Sequence, residues 1–306
     1  MASYFKMTSA VLFAFMTNYA LAEGKPLSSG TSTTPLLQSW MNTEVGAAWN
    51  QGFKGQGVTL IVLDDFQSKS VYSGNLGSGT QLLRHGEWTS KEASMLAPLA
   101  NLQTQDFTSG TSVRLNSGLN VVNMSYAIYA TAGHTASQIG WSAEEKSIIG
   151  YATKGAAIIS KAAGNDAIAV GSVNAAGKVD YLNLALKGTA SAIYVGALNS
   201  NGSTIKQATM AGYSNMAGND AAVQKQFLVV GVEGSKTGLY GTSFAAPIVS
   251  GYSAILGSKF TNSSATQITN QLLNTARQDT VSNYSAAVYG RGEASIARAL
   301  APVAIK

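Results

Sequence analysis

Cysteine is absent from the 306 residues, so neither disulfides nor thiolate metal sites can hold this chain together. Charge is sparse as well, with Asp, Glu, Lys and Arg making up only 11%. The formal excess of +5 comes from scattered lysines and arginines, whereas a nucleic-acid surface needs them clustered on one face. No apolar run reaches the ~18 residues that a membrane-spanning helix requires. Histidine occurs only twice, at His85 and His134, which shortens any search for a general base. No carboxylate cluster follows a calcium-loop pattern, and no metal or cofactor is expected.

What remains is a chain that can bury a core. Hydrophobic residues make up 45%, which excludes disorder, since disorder needs low hydrophobicity and high charge. At the N-terminus, Lys6 precedes the apolar stretch Ala10-Val11-Leu12-Phe13-Ala14-Phe15-Met16, which closes on Ala20-Leu21-Ala22. A positive residue, a short apolar core and an A-x-A site read as a secretory signal peptide over 1–22. Residues 23–42, with the Ser/Thr-rich run from Ser28 to Thr34, are expected to form a loose extension. Export to the periplasm or the medium follows from this reading, with no membrane span once the leader is gone. A monomer is expected.

Further along, Thr43 is placed to cap a short helix through Val45, Ala48 and Trp49. Val58-Thr59-Leu60-Ile61-Val62-Leu63 is a continuous β-favouring run, as expected of a central parallel strand covered on both faces, and it ends in Asp64-Asp65. A helix is expected after His85 as far as Leu96. Asn120 to Tyr126 and Ala156 to Ser160 read as further buried strands, with a helix led by Glu144 and Glu145 between them. Asn174 to Lys187 reads as a surface insertion. Ala192 to Ala197 and Phe227 to Gly231 are strands, and Thr266 to Ala276 and the stretch up to Leu300 are helical. Strands alternating with helices imply an α/β fold, with a mostly parallel central sheet and helices on both faces. No internal repeat or linker divides it, so 23–306 is read as one domain.

The most informative stretch is Gly241-Thr242-Ser243-Phe244-Ala245-Ala246-Pro247-Ile248-Val249-Ser250-Gly251. Small residues crowd one serine, and an apolar run follows through Leu256. A tight turn feeding a buried helix is expected, with Ser243 at the helix start, where unpaired N–H groups favour developing negative charge. Pro247 lies close enough to that start to bend the first turn without breaking the helix.

The pattern G-T-S-x-A-A-P-x-V-x-G resembles the nucleophile motif of the subtilisin-like serine proteases, peptidase family S8. Three other stretches resemble motifs of the same family, in the family's order. The A-W-x-x-G-x-x-G-x-G-V-x-x-x-V-L-D pattern ending at Asp64 is similar to the segment with the catalytic aspartate. His85-Gly86 with the downstream Ala97-Pro98-Leu99-Ala100-Asn101-Leu102 resembles the histidine segment, and Ala163-Gly164-Asn165-Asp166 resembles the oxyanion segment. The similarity runs from about Ala47 to Leu300.

The resemblance implies a serine endopeptidase acting on polypeptide substrates. Ser243 would attack the scissile carbonyl, His85 would take and return the proton, and Asp64 would orient the imidazole. Asn165 would hold the oxyanion together with the Ser243 N–H. Ser125, Tyr126 and Ala127, in a strand similar to the family's substrate-holding edge, would bind substrate with Ala163 and Gly164. Asp64 and Asp65 are adjacent, and alternation along a strand lets only one of them face His85; alignment favours Asp64. Ala127 stands where the family usually has glycine, which implies a narrowed primary pocket. Trp88 replaces a second histidine of the family pattern, a change expected to affect packing. The length of chain before the aspartate strand leaves no room for an inhibitory prodomain, so folding without one is expected. His134 has no partner pattern and is read as structural. Two alternatives remain beside the endopeptidase: an inactive member of the fold used for peptide or protein binding, and an esterase, which the lack of a G-x-S-x-G elbow disfavours.

Overall fold

The computed structural model describes residues 5–8 and 35–305. Of the leader reading over 1–22, only Phe5–Thr8 (β1) falls within the described residues. Helix α1 (Thr43–Asn50) opens one residue earlier than its threonine suggests, because the Asn42 side chain accepts the Glu44 N–H at 3.0 Å and is itself the cap. The apolar run that follows becomes β2 (Val58–Asp64), buried along its whole length. A small hairpin, β3 (Tyr72–Gly74) and β4 (Gln81–Leu83), leads into α2 (His85–Leu96).

The rest of the chain alternates as its hydrophobic pattern requires. Strands β5 (Asn101–Asp106), β6 (Leu119–Met124) and β7 (Tyr126–Thr131) precede α3 (Ala143–Lys154), which is closed by Gly155 in the left-handed conformation. Then come β8 (Ile158–Ala162), β9 (Lys178–Asp180), α4 (Tyr181–Leu186) and β10 (Ala192–Leu198). Short helices α5 (Ala221–Gln226) and α6 (Gly234–Thr237) flank β11 (Phe227–Gly231). The chain continues with α7 (Ala246–Lys259), α8 (Ala265–Thr275), α9 (Ala286–Tyr289) and α10 (Ile296–Leu300).

Six strands form one parallel sheet in the order β11-β10-β8-β6-β2-β5. Because the strands are parallel and buried, alternate side chains feed two cores. Leu60, Val121, Ile158 and Val195 point toward α2, α7 and α8. Ile61, Leu63, Val122, Met124 and Ile159 point toward α3 and α4 on the other face. This is the α/β architecture expected from the pattern. Helix α7 lies wholly within the first core, with only Lys259 left outside the buried set. Its approach to α2 depends on Gly251, where an added Cβ would stand 2.6 Å from the Leu96 Cβ.

Of the loose extension expected over 23–42, residues 23–34 lie outside the described residues; near its end Trp40 is only 2% exposed, and its indole N–H donates to the Leu76 carbonyl at 3.2 Å. Burying the indole among apolar side chains offsets part of the entropy lost in ordering this segment. The stretch Asn174 to Lys187 is no mere surface insertion, since it contains β9 and α4 and buries Asp180, Tyr181, Leu182, Asn183 and Leu186. Strand β9 adds antiparallel to β7, which already pairs with β1 on its other edge, giving a second sheet in the order β1-β7-β9.

One buried group in α2 makes stability depend on pH. The Glu92 side chain is 1% exposed with no hydrogen-bond partner at Oε2, and burial pushes its carboxyl well above the usual carboxylate range. The folded protein therefore keeps a proton that the unfolded chain releases above about pH 4.3. Stability contributed by the neutral acid is fully present below that value and is lost as pH rises toward the folded-state value. Glu92→Gln should raise Tm relative to the parent increasingly between pH 5 and pH 8; parallel Tm curves for the two proteins would show that Glu92 folds ionised.

Candidate active site

Parallel strands end on a common rim, and the C-terminal ends of β2, β6 and β8 deliver the first three parts of the site there. Asp64 is the last residue of β2. Its Oδ1 accepts from His85 Nδ1 at 2.5 Å and from the Asp65 backbone N–H at 2.7 Å. Its Oδ2 accepts the Thr89 hydroxyl at 2.8 Å. Asp64, His85 and Thr89 are all fully buried, so these three donors stand in for lost water. A carboxylate can only accept, which puts the imidazole hydrogen on Nδ1 and leaves Nε2 to act as a base. That Nε2 is buried and has no hydrogen-bond partner.

Asp65 has a different task. Its Oδ1 accepts the backbone N–H groups of Gln67 and Ser68 at 3.2 and 2.8 Å, and its Oδ2 takes a very short bond from the Ser68 hydroxyl. It closes the turn after β2 and does not meet the imidazole. The two carboxylates thus diverge, Asp64 at the end of the strand and Asp65 in the turn just beyond it.

Ser243 lies in a 3-10 turn, Thr242–Phe244, and not at the start of α7 itself, which begins at Ala246. Pro247 sits in the first turn of α7, where its missing N–H costs nothing. The Ser243 hydroxyl donates to the Ser125 carbonyl at 3.2 Å, and the Ser125 hydroxyl donates back to the Ser243 carbonyl at 2.8 Å. Asn123 supports this exchange by donating to the Ser125 hydroxyl at 3.0 Å, while its own oxygen accepts from Ser250 at 3.3 Å. The His85 ring lies beside the next residue, Phe244, with centroids 5.5 Å apart.

Asn165 follows β8. Its Oδ1 accepts both the backbone N–H of Thr242 at 2.8 Å and the Thr242 hydroxyl at 3.0 Å. Its amide orientation is therefore fixed, and Nδ2, buried and without a partner, is left as a donor. The same Thr242 hydroxyl accepts the Gly164 N–H at 3.1 Å.

The remaining predicted residues lie on the walls. Ser125, Tyr126, Ala127, Ala163 and Gly164 are buried, with Ala127 facing β1 through the pair Met7↔Ala127. The Tyr126 side chain belongs to the core: its ring packs against Phe107 and its hydroxyl donates to Glu144 at 3.4 Å. Burial, with Glu144 and Glu145 nearby, pushes that phenol well above its ordinary range. Only the Tyr126 backbone can face a ligand. Trp88 is fully buried and donates to the Tyr72 carbonyl at 2.8 Å, a packing role. His134 rests against the Tyr181 ring, 6.1 Å between centroids, and meets none of these residues.

Reading the sequence missed several contributors. Thr89 had a detectable signal, standing one helical turn after His85 on the same face. Asn123 and Thr242 had only their nearness to motif residues. Lys161 and Asp180 had none: they form a buried ion pair at 3.0 Å, and Asp180 also accepts the Ile128 N–H at 3.0 Å, fastening β7 beside the site.

A serine, an imidazole–carboxylate pair and a free amide donor at the rim of a parallel sheet define a subtilisin-like serine endopeptidase. The chain belongs to the subtilase family, whose model matches residues 71–292. That match includes His85, Asn165 and Ser243 and begins after Asp64. No curated protein matches the chain in sequence. Among solved structures, it is similar to the prenylagaramide maturation protease PagA, with 17% identity, 84% of this chain and 96% of that one covered, and a TM-score of 0.53. A lanthipeptide protease gives 17% identity, 82% and 89% coverage and a TM-score of 0.56. The MycP3 protease of the type VII (ESX-3) secretion system gives 20%, 88% and 89%, and 0.55. At these identities the likeness is one of fold.

The divergence of the two carboxylates gives a direct expectation. Asp64→Asn should lower kcat by about 10⁴-fold, because the imidazole would lose its tautomer control. Asp65→Asn should change kcat less than about tenfold and act on the turn. Steady-state kinetics of both variants check this, and the reverse ranking would exclude Asp64 as the partner.

Proposed function

We propose that this protein is an exported endopeptidase that cleaves polypeptides through an acyl-enzyme on Ser243, with His85 as base and Asp64 as its orienter. The observation that carries the reading is the dry 2.5 Å contact between His85 Nδ1 and Asp64, which leaves Nε2 the one unsatisfied nitrogen of the ring. The Ser243 hydroxyl would turn from the Ser125 carbonyl to Nε2 when substrate arrives; such contacts commonly tighten only in the loaded enzyme. As Oγ bonds to the scissile carbon, its proton passes to Nε2. The C–N bond then breaks, and the amine leaves with that proton. Water repeats the sequence and releases the acid. The Asn165 Nδ2–H and the Ser243 backbone N–H would share the oxyanion.

Substrate would lie as a strand along β7. The pairing of β1 supports this, since Met7 and Thr8 run antiparallel opposite Ala127 and Tyr126. Export rests on the leader pattern of 1–22 and ends in the periplasm or the medium. Among the described residues no helix is long and apolar enough to cross a membrane. A second reading, a binding protein without turnover, draws on the hydrogen bond that ties the Ser243 hydroxyl to Ser125.

A fluorophosphonate probe separates the two readings. Labelling that disappears in Ser243→Ala, with peptide turnover lost alongside, is the expected result; an unlabelled parent protein would leave only the binding reading. Ala127 sets a further expectation. Its methyl should favour small or medium P1 side chains, and Ala127→Gly should raise kcat/KM for Phe and Tyr relative to Ala, read on a P1 peptide panel. Fastest cleavage after Phe or Tyr by the parent enzyme would contradict it.

A further inference from the structure

The loop that carries Asn165 is gripped by a residue that no catalytic motif contains. Asn215 lies 50 positions downstream by residue number and is only 5% exposed. Its backbone N–H donates to the Gly164 carbonyl at 2.8 Å. Its side-chain Nδ2 donates to the Ala163 carbonyl at 3.0 Å. Its Oδ1 accepts the backbone N–H groups of Asp166 at 2.9 Å and Ile168 at 3.2 Å. One asparagine thus contacts residues on both sides of Asn165 and leaves Asn165 itself untouched.

Two further features show that this loop needs holding. Ala167, between the two N–H groups bound by Oδ1, has φ 54°, a left-handed conformation that an alanine adopts only when its surroundings impose it. Gly164 has φ 115°, and a Cβ there would stand 2.3 Å from Asn215 Nδ2. The amide therefore fills the space that the missing side chain leaves. The Asn165 side chain is pinned from the opposite direction by Thr242. Between the four Asn215 hydrogen bonds and the threonine, the free Nδ2 of Asn165 has one direction in which to point.

We propose that Asn215 is a positioning residue for the oxyanion donor, acting on the reaction through the 163–168 loop and Asn165 without touching substrate. The inference rests on the endopeptidase reading, in which Asn165 stabilises the tetrahedral intermediate. Geometry matters here because an oxyanion donor acts only where charge develops, and a displacement of about 1 Å can cost on the order of 10²-fold in rate.

The test is a double-mutant cycle on the full chain, with kcat normalised to sites titrated by a fluorophosphonate. Asn165→Ala should lower kcat by roughly 10²–10³-fold. Asn215→Ala should lower kcat by on the order of 10²-fold with KM little changed. In the Asn165→Ala background, Asn215→Ala should cost less than about threefold more, since the donor it aims is already gone. A merely structural asparagine would reduce Tm and the titratable fraction, and its effect per site would be equal in both backgrounds.

If Asn215→Ala folds poorly, the same cycle is run with Ala167→Gly throughout, which removes the left-handed penalty and restores folded protein without restoring kcat. Unchanged kcat per site in Asn215→Ala, or an equal loss in both backgrounds, overturns the clamp. Unchanged kcat in Asn165→Ala removes the oxyanion role itself, so failure of the underlying reading is seen separately.

Discussion

A carboxylate at the end of a buried strand is the constraint around which the rest of the molecule is arranged. Asp64 is completely removed from water, and such a group is tolerable only if every lone pair it directs inward finds a donor. The neighbouring helix supplies two of them: α2 begins at His85 and brings Thr89 round one turn later. Its start is fastened to the strand by the Gly86 N–H, which donates to the Asp65 carbonyl at 2.9 Å. The residue must be glycine, since a Cβ there would come within 2.8 Å of that same carbonyl. Strand, turn and helix are thus held in register by satisfying one buried acid.

The opposite half of the site has another kind of rigidity. Ser125 and Ser243 exchange hydroxyl and carbonyl bonds, and Ser160 donates to the Ala246 carbonyl at 2.8 Å just behind them. Helix α7 is therefore tied to Ser160 of β8 and Asn123 of β6 by short polar side chains, where bulkier residues would force the backbones apart. The small residues of the serine motif permit this approach. What stays unpartnered is a ring nitrogen and one amide, beside a serine hydroxyl held by a single 3.2 Å bond to a carbonyl. These are the groups a reaction would have to use, and each sits on a frame whose other polar atoms are engaged.

Much of this was legible in the chain itself. The continuous apolar run Val58 to Leu63 identified a central strand because only a sheet covered on both faces tolerates it, and the small residues around Ser243 marked a close backbone approach. The limits are physical too. Asp64 ends the strand and Asp65 opens the turn after it, a boundary that a run of two identical residues does not mark. Strand β7 was hidden because the chain breaks at Ser125 and resumes along another sheet. Asp180, Asn183 and Asn215 are ordinary polar residues to the eye; their meaning comes from distant backbone groups that they reach only after folding. Asn183 and Asn215, for instance, both donate to the Ala163 carbonyl, at 3.1 and 3.0 Å.

The short strand Phe5–Thr8 limits what else can pair with β7. A sheet edge offers a single row of N–H and C=O groups and can be occupied by one strand at a time. Phe5–Thr8 pair with Tyr126 to Tyr129 on one side of β7, and β9 pairs with Tyr129 to Thr131 on the other. While Phe5–Thr8 lie there, the stretch of β7 from Tyr126 to Tyr129 has no open row on that side for a peptide strand.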